Sequence, residues 1–418
     1  MRILVVNNLY LPVVRGGYEV ECRDVVEHLR GAHQVEVLTS TLGRSRVPAQ
    51  DGVQRILPFS DPNRAGVLRA PYSALRGVRI VRRVLAEQRP DLVYVWNGAG
   101  LPHAALRELN RSGVPVAYRV CQQWFGGLYR DDLFLRYLTL RHTGKDALWA
   151  VLVRAVNRLP ALRTGVHPPV DVAVCWNSDY LRSTVPVPDG LRVVHEDVVH
   201  PINAAADALD TVARQPAAGR PVVLFVGRVA EEKGIQVAIR AVAVLRRDHG
   251  LVVGLRVVGD GESRWRRQLE TVAAAEGIAE QVSFAGAQRG AALHAEIAAA
   301  AVWVVPSVWD EPAGMVAVEA GLARVPLVAS RVGGIPELLR EPDEALMFDR
   351  GDSIGCAAAL AETVRGGPAV QARVQQAHVR ARGLMFGPYL ERMDRFLHGA
   401  VARLGAAHSP RQARERRR

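Results

Sequence analysis

The stretch SVWDEPAGMVAVEAG, Ser307 to Gly321, carries two glutamates, Glu311 and Glu319, on either side of a Pro-Ala-Gly turn. Paired carboxylates can serve as general acid and base, or each can accept hydrogen bonds from hydroxyl groups. The preceding AVWVVPS reads as a short buried strand, and MVAVEAGLA reads as a helix beginning near Gly314. Glu311 then falls in a strand-to-helix loop and Glu319 near the helix start. Placed there, Glu319 suits vicinal hydroxyls such as those of a ribose, and Glu311 suits a sugar ring. Acids near a helix N-terminus also complement its dipole. That explains either glutamate alone, but explains poorly both of them beside the loops described next.

The stretch GRVAEEKG, Gly227 to Gly234, puts Arg228 at the carboxyl end of a strand and Lys233 just before a helix. Both cations can converge there on one anionic group. A diphosphate, with about two negative charges, could be held by charge-assisted contacts from Arg and Lys without a metal. No Asp-x-Asp pair, the usual metal-diphosphate device, occurs in the chain, and Lys233 is one of only two lysines. Two further glycine pairs follow strands. RGGYE, Arg15 to Glu19, opens the first helix, where Gly16 and Gly17 let an anion approach backbone amides, and SRVGGIPELL, Ser330 to Leu339, carries Gly333 and Gly334.

These residues need strands and helices to position them. The first half alternates RILVVN, YEVECRDVVEHLR, QVEVLTS, YSALRGVRIVRRVLAEQ, DLVYVWN, PHAALRELN and PVAYRVC, a βαβ rhythm. An aromatic and aliphatic helix-like insertion over about 124–165 interrupts it before DVAVCW resumes. Residues 204–219 turn to Ala, Asp, Pro and Gly and read as a linker. The rhythm restarts with PVVLFVGR and runs through a helix around Ile354 to Val364. The expectation is two doubly wound parallel-sheet domains, 1–203 and 220–380. A helix in 381–405 is expected to pack back on the first domain, ahead of a basic tail, 406–418. In open parallel sheets ligands sit outside the carboxyl ends of the strands, where all the glycine loops above fall.

Length and composition agree with this division. The chain has 418 residues, 49% hydrophobic and 23% charged, as in an ordinary globular protein. Its four scattered cysteines have no metal-site spacing and read as free thiols of a reducing compartment, so the expected place is the cytoplasm. The net charge of +12 raises nucleic acid or an anionic membrane as partner. Nearly all of it is arginine, however, and no aromatic-interleaved basic motif accompanies it, which argues against nucleic acid. The opening apolar run breaks at Asn7-Asn8 and reads as a strand, not a signal segment.

In order along the chain, Gly16-Gly17, Gly227-Arg228 with Lys233-Gly234, Val258-Gly259-Asp260-Gly261, Phe284-Ala285-Gly286, Pro306-Ser307 to Glu311-Pro312 with Glu319, and Gly333-Gly334 with Pro336-Glu337 resemble the retaining family 4 glycosyltransferases of the GT-B fold. The resemblance runs from residue 1 to about residue 365. It implies two Rossmann-like domains facing across a cleft, a nucleotide diphosphate sugar bound mainly by the second, an acceptor bound mainly by the first, and no metal or other cofactor. It assigns Arg228 and Lys233 to the diphosphate, with Gly16, Gly17, Gly227 and Gly259 close by. Glu319 is assigned to the ribose, and Glu311 with Pro312, Ala313, Gly314, Met315 and Val316 to the donor sugar. Glu311, Arg228 and Lys233 are the implied catalytic residues, and no side chain emerges as a nucleophile.

The chain departs from the pattern in three places. Ala313 stands where an aromatic is common, and Arg324 where a glycine is usual. Cys121-Gln122-Gln123 stand where the acceptor site usually has a His followed by an acid. On the acceptor side the candidates are therefore Cys121, Gln122, Gln123 and, after another strand, His103. The reading is a hexosyl or N-acetylhexosaminyl transferase with a uridine donor and a small-molecule acceptor. A lipid-linked or cell-surface polysaccharide acceptor, with the arginines of the insertion permitting contact with a membrane surface, stays open. So do an epimerase-like or phosphorylase-like enzyme and an inactive sugar-nucleotide binder. Oligomeric state is not readable.

Overall fold

The computed structural model describes residues 1–14, 16–43, 47–59, 69–128, 147, 151, 155 and 169–407. Arg15 and nearly all of the helix-like insertion and of the basic tail lie outside them. The chain divides into two compact units. The first comprises residues 1–177, 181–199 and the C-terminal stretch from Leu390, and the second residues 178–180 and 200–389.

In the first unit the strands are β1 (Arg2–Asn7), β2 (Gln34–Ser40), β3 (Val53–Leu57), β4 (Leu92–Asn97), β5 (Val116–Val120), β6 (Val170–Trp176) and β7 (Leu191–Val198). They form one parallel sheet in the order β3-β2-β1-β4-β5-β6-β7. The central strands β1, β4 and β5 are buried almost end to end, as a sheet covered on both faces requires. The two edges were the hardest to read. β3, VQRIL, and β7, LRVVHEDV, mix polar with apolar residues and lack the unbroken apolar run of the central strands. Under β5 a charge pair is wholly enclosed. Arg119 meets Glu21 of helix Gly17–Arg30 at 2.7 Å, with 0% and 1% side-chain exposure, and also donates to the carbonyls of Trp176 and Val199. The helix Phe386–Ala407 enters this unit at Leu390 and packs on β7, where Phe396 stacks on His195 and Arg392 reaches Asp197.

In the second unit the strands are β8 (Val222–Val226), β9 (Gly254–Val258), β10 (Val282–Gly286), β11 (Val302–Val305), β12 (Leu327–Ser330) and β13 (Leu346–Phe348). Their parallel order, β10-β9-β8-β11-β12-β13, reverses direction between β8 and β11. A doubly wound sheet opens its crevice at such a reversal. Helix Ile235–His249 supplies most of one face of the core through Ile235, Ile239, Val242 and Leu245. Residues 204–219, read as a linker, include a 3-10 helix, Ala204–Thr211, whose Ala206 and Leu209 are buried in this unit. Helix Pro368–Arg382, PAVQARVQQAHVRAR, was not anticipated because its face is written in Arg and Gln. Among the described residues no helix is long and apolar enough to cross a membrane.

Glu21→Ala would strand the Arg119 charge in the interior. Urea unfolding is expected to show a loss of about 3–5 kcal/mol, whereas a loss below about 1 kcal/mol would mean that the pair is not an essential part of the first core.

Candidate active site

At the reversal between β8 and β11, the two following loops are joined backbone to backbone. Gly234 has φ +69°, and a Cβ there would stand 1.7 Å from the carbonyl oxygen of Pro306, so only glycine fits. Val308 N–H donates to the Glu232 carbonyl at 3.0 Å. This contact brings together two residues 78 apart in sequence: Lys233 Nζ donates to Glu311 Oε1 at 2.7 Å. Ser307 Oγ donates to the same oxygen at 2.6 Å, and Ser330 Oγ donates to the Ser307 carbonyl at 2.7 Å. Glu311 is 6% exposed. Its Oε1 is fully used, while Lys233 keeps two further N–H donors. The ring of Trp309 lies 5.5 Å from Lys233 Nζ.

The next loop closes on this one. Gly333 has φ +55°, and a Cβ there would fall 2.0 Å from the Glu311 carbonyl oxygen. Gly334 N–H donates to that oxygen at 2.8 Å. Gly314, φ +84°, turns the chain against Ile335 into helix Val316–Leu322, whose first turn holds Glu319. Pro312, Ala313, Met315 and Val316 complete that turn, with Ala313 buried. Glu319 is partly buried, and its carboxyl group has no hydrogen-bond or charge partner among the described residues. Burial pushes its pKa up to about 7.

Arg228 has a carboxylate partner separate from that of Lys233. Its exposed guanidinium pairs with Glu232 at 2.7 Å, an i,i+4 contact. Such exposed pairs are worth about 0–1 kcal/mol, so Arg228 can leave Glu232 for a stronger anion at little cost. Gly227 and Gly259 have a steric reason to be glycine, since a Cβ at Gly259 would stand 1.7 Å from the Gly227 carbonyl oxygen. Beside them a cavity of about 590 Å³ is lined by Arg228, Glu232, Asp260 and Trp265 among others.

The remaining candidates lie in the first unit. Gly16 is the N-cap of helix Gly17–Arg30, and its N–H donates to Glu19 Oε2 at 2.8 Å, so this carboxylate occupies one amide of the glycine pair. Cys121 is buried, and that burial pushes its thiol well above the ordinary range, which removes it as an acid, base or nucleophile near neutral pH. Gln122 and Gln123 are exposed, and His103 begins helix His103–Arg111. Sequence reasoning passed over the serine relay, although both serines stand at strand carboxyl ends, a usable signal. It also gave no role to Glu337. Among the described residues no cluster of three or more His, Cys, Asp or Glu could hold a metal.

Residues 210–378 match the family model of glycosyl transferases group 1. The chain is 26% identical over 361 residues to an uncharacterized glycosyltransferase, MJ1607, of Methanocaldococcus jannaschii, covering 81% of this chain and 83% of that protein. It is 37% identical over 150 residues to the 2-deoxystreptamine glucosyltransferase of Streptomyces kanamyceticus, covering 36% and 37%. Among solved structures it is similar to Anabaena HepE in complex with UDP, with a TM-score of 0.65 and 19% identity over 96% of this chain and 100% of that one. The fold is GT-B, two parallel-sheet α/β domains like those of the glycosyltransferases it resembles.

Glu319 sets a pH test. Below about pH 4.5 its carboxyl is protonated in folded and unfolded chains alike. Its folded pKa is the higher one, so stability falls as pH rises from there through about 7. Glu319→Gln is therefore expected to raise stability at pH 8 by an amount of order 2 kcal/mol and to leave it unchanged at pH 4. Equal effects at both pH values in urea melts would contradict a desolvated carboxyl.

Proposed function

We propose that this chain is a retaining, metal-independent transferase that moves a hexosyl or N-acetylhexosaminyl group from a uridine diphosphate sugar to a hydroxyl of a small molecule. One observation carries the reading: a carboxyl raised in pKa by burial and without a partner among the described residues, Glu319, stands one helical turn from the loop that holds the Lys233–Glu311 pair. A buried carboxylate is costly unless it receives hydrogen bonds, and the two hydroxyls of a ribose are donors of the right kind. The UDP seen in HepE and the 2-deoxystreptamine substrate in the Streptomyces enzyme's name supply the nucleotide and the acceptor class of the proposal.

In this reading the free N–H groups of Lys233 and a released Arg228 hold the diphosphate. Glu311 Oε2 takes a hydroxyl of the donor sugar, with its orientation fixed by Lys233 and Ser307 on the other oxygen. As the bond from sugar C1 to the phosphate oxygen breaks, charge builds on the departing diphosphate. Fixed cations stabilise it more in that state than in the bound donor. The acceptor oxygen bonds to C1 on the same face, and its proton passes to the departing phosphate oxygen, so no protein nucleophile takes part. Lys233→Met then removes the charge that stabilises the leaving group, and kcat is expected to fall by about 10²–10³.

The test is thermal stability against a panel of nucleoside diphosphate sugars, for wild type and Glu319→Ala. A ligand at about a hundred times its Kd stabilises by about 2.7 kcal/mol. A uridine sugar is expected to shift the wild type and not the variant. No shift with any sugar nucleotide at saturating concentration would refute the proposal.

A further inference from the structure

We propose that Glu337 is a positioning residue of the donor loop, holding Glu311–Gly314 in place through the segment Ser178–Tyr180. This rests on the reading that the loop binds the donor.

The geometry is a three-way junction inside the second unit. Glu337 Oε1 accepts the Tyr180 N–H at 2.6 Å, and Oε2 accepts the Asp179 N–H at 2.7 Å. His200 Nε2 lies 3.0 Å from the same Oε2. The Ser178 hydroxyl donates to the carbonyl of Pro312, inside the donor loop. A Cβ on Gly334 would meet Pro312 O at 2.8 Å, Ala313 Cα at 3.0 Å and Ser178 Cβ at 3.0 Å, so the three segments touch with no room between them. The Glu337 backbone is itself anchored, since Arg380 donates to the carbonyls of Glu337 and of Leu338.

A simpler role for Glu337 is capping the short helix Asp179–Thr184. Capping accounts for the two amide bonds, but not for His200 on the same oxygen or for the hydroxyl of Ser178 on the donor loop. Burial alone would raise the Glu337 pKa, yet the His200 hydrogen bond and the two amides hold it below the ordinary carboxylate range, so the group stands ionised in this junction. A charge-assisted acceptor of two amides is stiff. Displacing residues 178–180 displaces Pro312, and with it the Glu311 carboxylate that meets Lys233.

Glu337→Gln keeps the shape but leaves one acceptor oxygen for two amides. Hydrogen exchange is expected to rise at the amides of 179–180 and 314–316, with helix Ile235–His249 unchanged. With UDP-glucose as probe, the donor KM should rise about tenfold while kcat at saturating donor stays within about twofold, the signature of lost ground-state positioning. Ser178→Ala, which removes the hydroxyl that donates to Pro312, should move the same quantities in the same direction. Unchanged exchange at 314–316, or faster exchange with an unaltered donor KM, would overturn the proposal. A wild type that binds no nucleotide sugar would overturn the donor reading and the positioning role with it, and the exchange data would then describe a purely structural clamp.

Discussion

Everything in the candidate site depends on one close approach of backbone to backbone, that of Gly234 to the carbonyl of Pro306. The reversal of the second sheet between β8 and β11 sends the following helices to opposite faces and leaves the two loops side by side. Because residue 234 has no side chain, the loops meet without a gap. Lys233 is therefore delivered to Glu311 at hydrogen-bonding distance, with the Ser307 hydroxyl on the carboxylate and the Ser330 hydroxyl holding the Ser307 backbone. A residue with a Cβ at position 234 would separate the loops and dissolve the pair.

The same device recurs along the carboxyl edge. Gly259 fits against Gly227, Gly261 against Val229 and Gly333 against Glu311, in each case where a Cβ would lie 2.0 Å or less from a carbonyl oxygen. The glycines thus build a continuous loop surface, and the chemistry is carried by the few side chains that project from it. Their electrostatic states differ. Lys233 and Glu311 are paired, Arg228 rests on an exposed partner it can leave, and Glu319 has no partner among the described residues. A site whose last carboxyl is held close to neutral is poised to ionise when hydroxyl donors arrive.

The fold was legible in the sequence wherever strands were buried on both faces, because RILVVN, DLVYVWN and PVVLFVG are nearly unbroken apolar runs. It was least legible at edges and on polar helices. β7 carries His195, Glu196 and Asp197, and helix Pro368–Arg382 hides its packing face among Arg and Gln. Within the site, residue types and loop positions could be read directly. The partners could not, because pairing is a property of three-dimensional proximity. The spacing of five between Arg228 and Lys233 could be read, but not that Arg228 pairs with Glu232 and Lys233 with Glu311. Glu337 carries no signal beyond its motif, since its partners at 179, 180 and 200 are over a hundred residues away.

The central claim, that Glu319 awaits a diol, is tested most directly by proton release on binding. Calorimetry of UDP-glucose near pH 7, in buffers of different ionisation enthalpy, counts the protons exchanged. The diphosphate of a sugar nucleotide does not titrate there, so the signal belongs to the protein. The account predicts release of about half a proton, since a group with pKa about 7 is half-protonated at that pH, and none with the 2′-deoxyuridine analogue or in Glu319→Gln. Binding without proton release, or equal release with the deoxy analogue, would contradict it.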